Sequence, residues 1–129
     1  MPIQKRWTHW NNASPPSSAG IYEFGVQNRD NVVTIIYIGR AQGGSSTIKS
    51  RFRDHISGRG NQDVYYAVQQ YSSRLYYRYE EVSSTMLRSA GNQACRKEAM
   101  NIQRFESKNH RLPAGNKRRE TVDDGCVIC

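Results

Sequence analysis

Several things are scarce in this chain of 129 residues, and each scarcity excludes something. Cysteine occurs three times, at Cys95, Cys126 and Cys129. That odd, small number builds no disulfide framework, so the expected setting is the reducing interior of a cell, cytoplasm, nucleoid or nucleus. No run approaches the ~20 apolar residues that span a bilayer, and Met1 to Trp10 carries charges without an apolar core, so neither a membrane helix nor a signal peptide is expected. Proline, four in all, is concentrated early, in the run Ser14-Pro15-Pro16-Ser17-Ser18, which marks an irregular lead-in. Acidic residues number 11 against 19 lysines and arginines, a formal net charge of +8. The length suits one domain and is short for two.

What is present fits a polyanion-binding surface. The sequence pI is about 9.7 and there are eight tyrosines, residues that stack well on bases. The bland alternative is a soluble basic protein.

The chain divides into a lead-in over 1–15, a folded domain over 16–116 and a basic tail over 117–129. Gly20 to Val26 alternates and reads as a strand. The polar stretch Gln27 to Asn31 is a turn, and Val32 to Ile38, rich in β-branched residues, reads as a strand buried on both faces. An antiparallel hairpin follows from the short link. Gly43-Gly44-Ser45-Ser46-Thr47 breaks the strand and offers a helix cap. Ile48, Phe52 and Ile56 then recur at helical spacing, and Gly58-Arg59-Gly60 ends that helix. Val64, Ala67, Val68 and Tyr71 form the stripe of a second helix. Leu75 to Val82 is a third strand, and Asn92 to Ser107 a last helix striped by Cys95, Ala99, Ile102 and Phe105. The expected fold is an α/β (α+β) domain with a small, three-stranded, mainly antiparallel sheet flanked by helices.

Five positions carry the chemistry. Glu98 shares a helix face with the apolar stripe, and a carboxylate aimed at a core needs a partner. Two readings stand: a salt bridge, for instance to Arg51, or a ligand for Mg²⁺ or Mn²⁺, hard ions that take one or two carboxylates with water and phosphate. Arg51 and His55 lie four apart on one helix face. An arginine can clamp a phosphate with two parallel donors, and a histidine can move a proton. Lys49 and Arg53 beside them fit a solvated basic face or plain backbone-phosphate contacts. Tyr22 and Tyr37 sit at similar heights on paired strands, as core tyrosines or as phenols whose pKa a nearby arginine and metal lower until they help deprotonate a water. Cys126-Val127-Ile128-Cys129 can be read as half a zinc site, as a lipid-attachment box that would tether an adaptor to a membrane, or as an inert tail.

Together these residues resemble the GIY-YIG nuclease family. Gly20-Ile21-Tyr22 and Tyr37-Ile38-Gly39 are its two name-giving motifs at hairpin distance. Ile48-Lys49-Ser50-Arg51-Phe52-Arg53-Asp54-His55 is similar to its catalytic helix, Glu98 with Ile102 to its metal-binding turn, and Asn116 after Leu112-Pro113 to its closing asparagine. Two departures are a long Gly/Ser-rich loop between Gly39 and Arg51, and a long spacing from Glu98 to Asn116 that makes Glu106 a rival. The resemblance implies a Mg²⁺- or Mn²⁺-dependent DNA endonuclease. Glu98 would bind the metal, Arg51 stabilise the phosphate, Tyr22 or Tyr37 position or activate water, His55 assist and Asn116 fix local geometry. Arg40, directly after the second motif, takes the position where the family often has a basic residue near the phosphate. One site cuts one strand, so duplex cleavage implies a homodimer, a partner protein or two visits. The competing class is a non-catalytic nucleic-acid-binding module on the same fold.

Overall fold

The computed structural model describes residues 7–82, 90–109 and 111–116. The tail readings at Lys117 to Arg119 and at the two terminal cysteines lie outside the described residues.

Alternation drives the central hairpin. β2 (Gly20–Gln27) and β3 (Val33–Ala41) pair antiparallel, with Tyr22 opposite Gly39 and Phe24 opposite Tyr37. Asn31, at φ 63°, makes the turn, and Asn28 holds it by accepting the Asp30 and Val32 N–H groups at 2.8 and 3.0 Å. β4 (Leu75–Glu81) pairs with the other side of β2. Among the described residues the sheet is antiparallel but has four strands rather than three, in the order β1 (Thr8–His9), β4, β2, β3. The additional strand, β1 (Thr8–His9), comes from the stretch read as an irregular lead-in. Two residues carry too little alternation to be legible; tertiary anchors hold them. The Trp10 indole donates to the Ser72 carbonyl at 2.9 Å, and the Arg78 guanidinium sits 4.0 Å over the Trp7 ring.

The two faces of the sheet are covered by different helices. α1 (Ile48–Ser57) and α2 (Gln62–Gln70) cover the face that carries Tyr22, Phe24 and Tyr77, packing Ile48, Phe52, Val64 and Ala67 against them. α3 (Ala90–Asn109) covers the opposite face, where Ile102 and Phe105 meet Ile38. Thr47 caps α1 in a reciprocal box with Ser50, and Gly58, at φ 92°, closes it. Asn61 caps α2.

β3 is an edge strand. Within it only Ile38, Gly39 and Ala41 are buried, so the reading of 32–38 as buried on both faces needs correction: Val32, just before the strand, is 55% exposed. The apolar run arises because both helical layers reach this strand from opposite sides. Cys95 is buried on the α3 stripe and disulfide-bonded; one bond is not the multi-bridge framework that the cysteine count excludes. No helix among the described residues is long and apolar enough to cross a membrane.

Candidate active site

An edge strand lets side chains from both faces of a sheet converge, and here they do. A cleft of about 510 Å³ opens over the last turns of β3. Tyr22, Tyr37 and Arg51 enter it from the α1 side, Arg40 and Glu98 from the α3 side, and Asn61 and Asn116 from the loops between. Of the residues singled out from sequence, Tyr22, Tyr37, Arg40, Arg51, Glu98 and Asn116 share this cleft. Glu106 does not line it. Lys49 and Arg53 are exposed and outside it. Each lies two residues from Arg51, which puts it on another side of α1.

The tyrosine of β2 is seated by a glycine. A Cβ on Gly39 would stand 2.5 Å from the Tyr22 Cζ and Oη, so the ring lies flat over a residue that has none. The ring is 1% exposed and is hemmed in by Phe24, Tyr37, His55 and Tyr77 at centroid distances of 5.5 to 6.3 Å. Burial pushes the Tyr22 phenol well above its ordinary pKa, Tyr37 adds to this, and the Arg51 guanidinium offsets only part. Tyr37 is raised too, by burial first and Glu98 second, with Arg51 and Arg40 opposing. The expected lowering came from an arginine and a metal together, and burial outweighs the arginine's share. Both phenols are neutral at pH 7 and act through hydrogen bonds.

His55 lies behind the cleft rather than in it. It is 1% exposed, with both ring nitrogens engaged: Nε2 lies 2.8 Å from the Tyr22 Oη, and Nδ1 accepts the Asn61 N–H at 2.8 Å. Burial, aided by Arg51, lowers its pKa to about 4, so it is neutral at pH 7.

Glu98 is 6% exposed and ion-paired with Arg40 on β3. The salt-bridge partner suggested from sequence was Arg51; Arg51 instead lies 3.8 Å from Asp54 on its own helix. Among the described residues Glu98 is the one carboxylate lining the cleft, and no three His, Cys, Asp or Glu side chains cluster. That donor set suits a hard ion that keeps most of its shell as water and phosphate, and it does not suit zinc.

Asn116 closes the site. Its Oδ1 accepts the Ile38 N–H and its Nδ2 donates to the Ile38 carbonyl, both at 3.0 Å, so one side chain pairs with the edge strand as a neighbouring strand would. Asn61, Gln42 and Ser46 were missed as cleft residues. For Asn61 a signal existed, an asparagine directly before a helical stripe, the pattern of an N-cap. No protein-family model matches the chain, and neither a curated protein nor a solved structure does.

Proposed function

We propose that the chain is a divalent-metal-dependent endonuclease of the GIY-YIG type that hydrolyses phosphodiester bonds in DNA. One observation carries this reading. Residues from five separate stretches (20–22, 37–39, α1, α3 and the 112–116 turn) meet at one cleft on the sheet edge, and each has the chemistry a phosphodiester hydrolase needs there.

Arg51 and Arg40 are the cleft's cations and would hold the scissile phosphate and offset charge as it develops. The neutral phenols of Tyr22 and Tyr37 would orient the attacking water by hydrogen bonding. Asn116 keeps β3, and with it Tyr37 and Arg40, in place. Glu98 would hold Mg²⁺ or Mn²⁺, which supplies Lewis-acid polarisation of the phosphate when bound. Positioning and charge stabilisation suffice, with no covalent intermediate.

A second reading is favoured by one contact. Because Arg40 pairs with Glu98, the carboxylate facing a polyanion is compensated without any metal. A non-catalytic nucleic-acid-binding module on the same scaffold is then physically consistent. Cleavage of supercoiled plasmid in Mg²⁺, Mn²⁺ or EDTA, by wild type and by Glu98→Ala, separates the two. Metal-dependent nicking lost in the variant is expected. DNA binding by wild type without cutting of plasmid or branched substrates in any metal gives the module reading instead.

A further inference from the structure

The loop between α1 and α2 does more than join two helices. Asn61 makes contacts in three directions. Its backbone N–H donates to His55 Nδ1 at 2.8 Å, and its Nδ2 donates to the Gly115 carbonyl at 2.8 Å. Its Oδ1 accepts the Asp63 and Val64 N–H groups at 2.9 and 3.1 Å as the cap of α2. The loop can approach His55 this closely only because residue 60 is glycine: a Cβ there would stand 2.4 Å from Nδ1.

The first contact fixes directions. A backbone N–H can only donate, so His55 Nδ1 must present its lone pair. In a neutral imidazole the single proton then sits on Nε2. With burial holding the ring neutral at pH 7, Nε2–H donates to the Tyr22 Oη, 2.8 Å away. His55 is therefore unable to accept the Tyr22 proton, and that O–H is directed away from His55.

We propose that Asn61 is a positioning residue: by fixing the His55 tautomer and bracing the Gly115–Asn116 turn, it sets the direction of the Tyr22 hydroxyl and ties two walls of the cleft together. Its kinetic consequence rests on the nuclease reading; its structural content does not. The assignment differs from a plain capping role, because a cap needs only the Oδ1 contacts.

Serine caps helices about as well as asparagine but is too short to brace Gly115. Asn61→Ser thus keeps the cap and removes the brace, whereas Asn61→Ala removes both. The ¹⁵N resonances of the His55 ring report the tautomer directly. Wild type is expected to show a single Nε2–H form at pH 7. Asn61→Pro, which has no backbone N–H and fits the φ of −71° at this position, is expected to shift His55 toward mixed tautomers. Asn61→Ser keeps that N–H and with it the Nε2–H form, and is expected to lower kcat between about tenfold and a hundredfold with KM nearly unchanged, as a misplaced reacting group does. An Nδ1–H tautomer in wild type overturns the proposal. So does an Asn61→Pro protein with an unchanged His55 tautomer, or an Asn61→Ser protein with unchanged kcat. If wild type cuts no DNA, the nuclease reading falls, and the ring resonances of wild type and Asn61→Pro still decide whether the N–H of residue 61 sets the orientation.

Discussion

Arg40 on β3 and Glu98 on α3 are ion-paired at the wall of the cleft, with side chains 23% and 9% exposed. The pair joins an edge strand to the helix covering it, and it places a fixed cation against the carboxylate proposed to hold the metal. A divalent ion bound by Glu98 must then share it with Arg40 or displace it. Displacement would turn the guanidinium toward the substrate phosphate, so metal loading and phosphate capture would be linked through one side chain.

Replacing Arg40 by alanine removes that competitor and a like charge. Mn²⁺ affinity is expected to rise about tenfold, near 1.4 kcal/mol, while plasmid cleavage at saturating metal falls. Titration of Mn²⁺ by electron paramagnetic resonance reads the first effect independently of the second. Unchanged or weaker Mn²⁺ binding in Arg40→Ala would sink the competition between cation and guanidinium.

His55 makes stability depend on pH. Its folded pKa, about 4, lies below the ordinary value of 6.5, so between those limits the unfolded chain binds more protons than the folded one. Stability then rises with pH: the contribution is complete above about 6.5 and is lost as pH falls toward 4, by up to roughly 3 kcal/mol over the window. Urea denaturation of wild type and His55→Gln from pH 7.5 to 4 isolates it by difference. A wild-type curve parallel to that of His55→Gln throughout would contradict this account.

Gly39 is a steric requirement of the Tyr22 seat. The ring behind it has aromatic neighbours at 5.5 to 6.3 Å and cannot retreat. Gly39→Ala is expected to destabilise the fold by about 1–3 kcal/mol, the usual cost of forcing extra volume into a packed site. It should also displace the Tyr22–His55 hydrogen bond. Thermal unfolding checks the first part and the His55 ring resonances the second. A fully stable alanine variant with wild-type resonances would show that the strand, rather than the ring, gives way.

Much of this was legible in the sequence, for reasons that differ by residue. The hairpin and the three helices follow from alternation and helical spacing, which report which side of an element is buried. Glu98 stood out because a carboxylate on an apolar stripe is anomalous. Its partner did not, since Arg40 and Glu98 are 58 residues apart and only the sheet topology joins them. β1 was illegible because it is two residues long and is held by Trp10 and by pairing with β4. The depth at which the phenols lie was not legible, because burial depends on the whole fold. An arginine beside a tyrosine lowers the phenol pKa, and burial of Tyr22 outweighs that share.

Asn116 offers a local test of how the cleft is held. Its amide pairs with both backbone groups of Ile38, which is wholly buried and lies on the free edge of the sheet. Asn116→Ala leaves that N–H and carbonyl without partners where water has little access, at a cost of about 1–3 kcal/mol. The damage should be local. β2 pairs with its neighbours on both sides and does not depend on Asn116, so its amides should exchange as before at pH and temperature favouring local opening. The Ile38 amide should exchange faster by a factor of roughly ten to a hundred, as a loss of about 1.4–2.8 kcal/mol implies. Because Tyr37 directly precedes Ile38 and Arg40 lies two residues after it on the same strand, the cleft should loosen with it, and DNA cleavage should fall even though neither side chain has been changed. Hydrogen exchange followed residue by residue distinguishes this from global destabilisation: faster exchange at Ile38 alone supports the clamp, whereas an equal increase along β2 would mean that Asn116 stabilises the domain as a whole.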